Sequence, residues 1–432
     1  MRKTLFITFL CMSFGAFISS CSSSDETTAA GKPYDPNQPV KLTTFYPQDG
    51  GMATKVIIKG ENFGTDPSQV QVFYNEKKAA IVRAAGDMLY VITPRQPGDD
   101  CVISVKIGDK SQAFTEHFKY KTQVTVSTIT GVKTEDAKEK FTDGTLSEAR
   151  FHKVYYLCVD NEKNIFVVER DGYRLRQINE EMNFVTTLAS GAGQIQAPFV
   201  PIVEKDGQKV FLALWVTNGD IAQFDPETQW SRKRVKPICE GFVLNEFISA
   251  ASNPRDKMVY IKAKNGNLAR MDPRSKEAVL IDTDLDPGMS YQAITYFDPL
   301  DPDLLYICYQ DKHCIYQYNL ATKEYVLFAG IKNEAGFADG KRQNAQFNTP
   351  GQICFDQDGI MFVADSGNQC IRKIDREGVV STVIGIPGKK GYVDGVPDDA
   401  LFDTPTGVAV DEEGTVYIAD QNNRCVRKLA IQ

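Results

Sequence analysis

Val126-Ser-Thr-Ile-Thr-Gly131 recurs far down the chain as Val380-Ser-Thr-Val-Ile-Gly385, and each copy leads into the same loop. After the first comes Phe141-Thr-Asp-Gly144, then Ala149-Arg-Phe151; after the second, Tyr392-Val-Asp-Gly395, then Ala400-Leu-Phe402. A third loop copy, Phe337-Ala-Asp-Gly340 with Ala345-Gln-Phe347, follows the strand-like Val326-Leu-Phe-Ala-Gly330. Self-similarity at a fixed period marks a repeat architecture, in which each unit buries its apolar face only against its neighbours. The unit is plainest in Gly407-Val-Ala-Val-Asp411, Val416-Tyr-Ile-Ala-Asp420 and Cys425-Val-Arg-Lys-Leu429. These short β-branched and aromatic runs, divided by Glu-Glu-Gly and Gln-Asn-Asn-Arg turns, read as antiparallel strands joined by hairpins.

Six segments align through their second strand, at residues 165–169, 210–215, 259–262, 305–309, 361–365 and 416–420. Their ends are spaced about 46 to 56 residues apart, in the range of four-stranded propeller blades with long loops. The sixth unit has three strands, and residues 126–131 are a lone fourth-strand sequence ahead of the first unit. Pairing the two closes the ring and removes a sheet edge that would otherwise invite aggregation. The chain is therefore expected to be all-β, with a six-bladed β-propeller over residues 122–432 closed by an N-terminal strand.

The units resemble NHL repeats, most closely in Ala364-Asp-Ser-Gly-Asn-Gln-Cys-Ile-Arg-Lys-Ile374 and Ala419-Asp-Gln-Asn-Asn-Arg-Cys-Val-Arg-Lys-Leu429. The resemblance covers roughly residues 126–432 and is thinnest in the second to fourth blades. Residues 39–121 carry another pattern: Tyr46-Pro-Gln-Asp-Gly50, Val56-Ile-Ile-Lys-Gly60, Glu61-Asn-Phe-Gly64, Val70-Gln-Val-Phe73 and Val91-Ile-Thr-Pro94. Short alternating strands between Gly and Pro turns predict an immunoglobulin-like β-sandwich. Its Gly-Glu-Asn-Phe-Gly core resembles the IPT/TIG domain, whose fold alone does not set a function.

Met1-Arg-Lys3 followed by the apolar residues 5–18 reads as a signal peptide over residues 1–20. Ile18-Ser-Ser-Cys21 resembles a lipobox, which makes Cys21 the lipidated residue and residues 21–38 a flexible tether. Ser22-Ser-Ser-Asp-Glu26 resembles the acidic tag that sends such lipoproteins to the surface of Gram-negative gut bacteria. The expected location is the outer membrane or cell surface. The formal charge of −7 becomes −9 once Arg2 and Lys3 leave with the peptide, which argues against nucleic acid as a partner. Cys314, Cys370 and Cys425 fall at one equivalent position in successive blades, too far apart to bridge, and read as small buried thiols.

The ends of the second strands suggest a ring facing one mouth of the propeller: Glu169, Trp215, Lys262, Tyr309, Asp365 and Asp420. Aromatic rings beside amides and carboxylates suit sugars, whose apolar faces stack while their hydroxyls hydrogen-bond. Asp365 and Asp420 also read as turn formers, as do Asp143, Asp339 and Asp394 in the repeated loops. His117, His152 and His313 are the only histidines, too few for a three-His metal site or a Ser-His-Asp set inside the propeller. No cofactor is expected; Glu169, Asp365 and Asp420 could instead converge on Ca²⁺.

The lipid anchor, sandwich and NHL-type propeller resemble accessory surface lipoproteins of glycan-uptake systems. The resemblance implies a non-catalytic protein that binds an extracellular glycan on the loop face of the propeller. A protein-interaction or adhesion module is the alternative, and a metal-assisted lyase or hydrolase the second. The lipoprotein reading is checked by Cys21→Ala, which should move the protein from the membrane to the soluble fraction on cell fractionation. Unchanged membrane association would sink it.

Overall fold

The computed structural model describes residues 31–95, 98–131, 141–169, 173–190, 200–203, 209–215, 220–244, 247–283, 285 and 293–431. The described residues form two compact units that divide between Lys121 and Thr122.

The first unit is a sandwich of two sheets. One orders the strands Lys41–Tyr46, Lys55–Gly64, Gly86–Ile92 and Ala80–Ala84; the other orders Asp49–Gly50, Lys110–Tyr120, Asp100–Ile107, Val70–Tyr74 and Lys77–Lys78. Alternation along each strand sends Phe45, Ile58, Val72, Leu89, Ile103 and Phe118 into one core. Within Gly-Glu-Asn-Phe-Gly, Phe63 enters that core, while Asn62 takes a left-handed backbone (φ 64°). The Asn62 side chain accepts from the Asp35 N–H and donates to the Asp35 and Gln38 carbonyls. The expected tether to residue 38 therefore ends earlier: residues 35–38 are held by the sandwich.

The second unit is the six-bladed propeller. Blade 5 shows the plan: inner strand Pro350–Phe355, then Met361–Asp365, Cys370–Ile374 and outer strand Val379–Ile384, all antiparallel. The inner strands of the other blades are Val154–Val159, Val200–Val203, Phe247–Ser252, Ala293–Phe297 and Pro405–Val410, and successive ones adjoin around the axis. Blade 6 has only three strands of its own. Val124–Thr130 supplies the fourth, antiparallel to Cys425–Ile431, with Val126 opposite Leu429. Val126 is buried in the core that blades 5 and 6 share.

Two local devices repeat around the ring. The turns after the inner strands are Asx turns: Asp160, Asp356 and Asp411 each accept from the backbone N–H two and four residues on. The segments Gly144–Thr145 and Gly340–Lys341, from the repeated Asp-Gly loops, add a short fifth strand outside blades 1 and 5. The eight described cysteines are free thiols, and all but Cys239 are buried.

Closure by Val124–Thr130 generates a test. Val126→Asp places an uncompensated charge in the shared core and should lower propeller stability by about 3–5 kcal/mol. Chemical denaturation of the full chain, followed by tryptophan fluorescence, measures it, since Trp215 and Trp230 both belong to the propeller. An unshifted midpoint would show that this strand does not hold the ring shut.

Candidate functional site

Five of the six expected ring residues have described side chains, and none meets solvent: Glu169, Lys262, Tyr309, Asp365 and Asp420 are each 0% exposed. The expectation of a ligand-facing ring is corrected on that ground. Trp215 ends its strand opposite Asp220, and its side chain lies outside the described residues.

The three carboxylates serve a buried network that repeats in blades 1, 5 and 6. In blade 5, Arg372 Nη1 donates to Asp365 Oδ2 at 2.9 Å and Nη2 to Asp339 in the Asp-Gly loop. The same two nitrogens donate to the carbonyls of Gln346 and Ala338. Arg427 repeats this with Asp420 at 3.0 Å, Asp394, and the carbonyls of Leu401 and Val393. Arg176 repeats it with Glu169 at 3.1 Å, Asp143 at 2.8 Å, and the carbonyls of Arg150 and Thr142. Each guanidinium also lies between two aromatic rings of its loop: Phe337 and Phe347, Tyr392 and Phe402, Phe141 and Phe151. This accounts for the spacing of the loop motif, whose aromatic, Asp and second aromatic all face one arginine. The repeats Ile371-Arg-Lys and Val426-Arg-Lys carry these arginines in plain sight, but nothing local marks them as buried; the Asn423 amide also donates to Asp420.

The loop aspartates also hold the outer strands. Asp143 accepts from the Thr187 N–H and hydroxyl, Asp339 from Thr382, and Asp394 from Thr128 of the closing strand. Glu169, Asp365 and Asp420 are thus each committed to their own blade. Among the described residues no cluster of three or more His, Cys, Asp or Glu side chains could hold a metal ion.

Blades 3 and 4 solve the same position without charge. In blade 4 Tyr309 and Tyr316 stand where blade 5 has Asp365 and Arg372; their rings meet edge to face at 5.7 Å, and the Tyr309 hydroxyl bonds that of Tyr325. In blade 3 the residue opposite the start of the inner strand is Ala263, not Lys262. A slip of one residue turns a strand side chain to the other face. Lys262 accordingly points away from the ring position, and its ammonium donates to the Leu285 carbonyl.

The open space lies on the axis instead. A cavity of ≈ 390 Å³ is lined by inner-strand residues of blades 1, 3, 4, 5 and 6 and by the turns that follow them. That volume is within the range of small-ligand sites. Its walls carry Leu157, Ala251, Ile294 and Ala409 beside Thr295 and Gln352, and Lys257 and Glu412 stand at its margin. Tyr296 lines it too, with 36% of its surface open although blades surround it. Its hydroxyl has no hydrogen-bond partner among the described residues, and burial raises its pKa well above that of a free tyrosine. Inner strands alternate small and large apolar residues as any buried strand does, so nothing in their pattern announces a cavity.

Residues 39–122 match the IPT/TIG domain and residues 402–429 the NHL repeat. Protein SUPPRESSOR OF QUENCHING 1, chloroplastic, of Arabidopsis thaliana is 25% identical over 305 residues, 67% of this chain. The chain spans only 26% of that relative's length. A Bacteroides thetaiotaomicron protein of unknown function superposes with a TM-score of 0.80 and 28% identity, over 93% of this chain and all of its own. An auxiliary nutrient binding protein from the same organism superposes at 0.62 with 25% identity, over 92% of this chain and 99% of its own.

The buried network has a pH signature. Desolvation pushes Asp365 and Asp420 up to about 6, against hydrogen bonds from Asn368 and Asn423 and the attraction of Arg372 and Arg427. The unfolded carboxyl titrates near 3.8, so folding takes up protons at both sites between roughly pH 4 and 6. The stability each contributes is full below about pH 4 and is lost as pH rises through about 6. Asp420→Asn is uncharged at every pH; its penalty should therefore be larger at pH 4 than at pH 7, by up to about 3 kcal/mol. Urea denaturation of both proteins at both pH values measures this. A penalty that grows with pH would show that Arg427 dominates desolvation.

Proposed function

We propose that this chain is a surface lipoprotein that binds an extracellular nutrient, a glycan, in the axial cavity of its propeller and performs no chemistry on it. The observation that carries the reading is the cavity itself. It is large enough for a sugar unit, mixes apolar wall with hydroxyl and amide groups, and presents the Tyr296 ring with an unshared phenol. Aromatic faces and unshared hydroxyls are what a sugar ring requires of a site. The full-length likeness to a nutrient binding protein supports a binding role, and the lipobox at Cys21 supports attachment through acyl chains. The buried ring carboxylates are tied up in ion pairs, which leaves them unsuited to acid–base work on a ligand.

The reading is tested by screening the chain from residue 31 onward against a panel of neutral glycans. For a glycan that binds, Tyr296→Ala should weaken affinity by about 1–3 kcal/mol, the scale of losing a central aromatic contact. Tyr296→Phe should weaken it by about 0.5–1.5 kcal/mol if the hydroxyl donates or accepts. Since part of the Tyr296 surface faces open cavity, neither change should greatly shift the melting temperature. Calorimetric titration that finds wild-type affinity in Tyr296→Ala would place the ligand elsewhere.

A further inference from the structure

We infer that the axial cavity receives the free end of a neutral glycan chain rather than an internal stretch of it. The inference rests on the glycan reading above and adds which part of the glycan enters.

The inner strand of each blade is the end strand of its sheet, so one row of its N–H and C=O groups has no ladder partner. In one layer of the axis several groups of those rows are satisfied by side chains from other blades. Gln352 of blade 5 accepts from the Leu157 N–H and donates to the Leu157 carbonyl of blade 1, as a paired strand would. Thr406 donates to the Tyr155 carbonyl, and Ser249 of blade 3 bonds both the N–H and the hydroxyl of Thr295 in blade 4. The strands nearly touch here. A Cβ on Gly351 would stand 2.3 Å from the Thr406 carbonyl oxygen, and one on Gly407 would stand 2.7 Å from that of Tyr155. These bonds join blades 5, 6 and 1 and blades 3 and 4 across the axis at the end nearer the Asp-Gly loops, and we take that end as the closed one.

The cavity lies on the other side of that layer and reaches the turns after the inner strands, where Pro254, Lys257, Pro299 and Glu412 line it. A space entered from one side accepts a chain terminus and cannot be threaded. Its described wall carries no charged side chain away from those turns, so a uronate, a sulfated unit or either charged terminus of a peptide would be desolvated there without a partner. A neutral sugar would not, because each hydroxyl both donates and accepts and can meet either group of an unpaired strand edge. Lys257 and Glu412 then lie where the second sugar unit would emerge.

The experiment titrates the chain from residue 31 onward with maltohexaose, cellohexaose, mannohexaose and xylohexaose, and then with a soluble polymer of whichever sugar binds. For a polymer about ten times the hexaose length, end recognition predicts about tenfold fewer binding sites per gram. An equal or greater number of sites per gram would overturn the end-on inference while leaving the glycan reading intact. Tyr296→Ala should weaken hexaose binding about 5- to 150-fold, and the cavity-filling Ala251→Leu should abolish it. Wild-type binding in both variants would overturn the cavity as the site. Binding of none of the four hexaoses would overturn the glycan reading, and the inference with it.

Discussion

A guanidinium sealed from water needs acceptors for its donors, and in this propeller the two terminal nitrogens of each such group find theirs by drawing four parts of a blade to one point. Arg176, Arg372 and Arg427 each connect the end of the second strand, the third strand they sit on, and the Asp-Gly loop arriving from the previous blade. Through the loop aspartate they also reach the outer strand. Buried ion pairs contribute little net stability relative to well-packed apolar residues, but they strongly penalise arrangements that leave one partner alone. Blades 3 and 4 make the comparison within one molecule. Alanines or tyrosines fill the equivalent positions there, so the charge is not needed to build a blade. What the charged blades share is the long loop, and the arginine gives that loop one address.

The axis poses a related difficulty with another answer. Six inner strands present edges without ladder partners to one another, and among the described residues side-chain amides and hydroxyls bridge them in one layer. Below that layer small residues such as Ala250, Ala251 and Ala409 keep the strands from filling the space between them. The result is a pocket whose shape comes from what is missing and whose described wall mixes apolar side chains with the Thr295 hydroxyl and the Gln352 amide.

These two features explain what could and could not be read beforehand. The strand-and-turn repeat, the sandwich and the strand before the first blade were legible because periodicity and turn residues act locally, and the architecture follows from them. The burial of the ring at the strand ends is not legible, because Asp365 next to Asn368 and Cys370 looks the same whether its carboxylate faces water or Arg372. Exposure is a property of the loop that folds over it, some twenty to thirty residues earlier in the chain. Sequence alignment sets Lys262 where the structure has Ala263, because the drifted third blade offers no Asp to mark the end of its strand. The cavity left no trace at all, since Tyr296 and Ala251 occur in strands whose composition is that of an ordinary core.

Closure by residues 124–130 also sets an order of events. That strand is synthesised before any blade, yet its partner, Cys425–Ile431, follows every other described strand of the propeller. Contacts this distant in sequence form late, because the loop between them must be closed before they return any energy. The sandwich, whose strands lie within residues 41–120, can fold while the propeller is still being made. Val124–Thr130 must wait unpaired as blades 1 to 5 accumulate, its Thr128 reserved for an aspartate that arrives with Asp394. A chain interrupted before residue 425 therefore carries open edges at both ends of an unfinished ring, a form that a protease or chaperone can distinguish from the finished one.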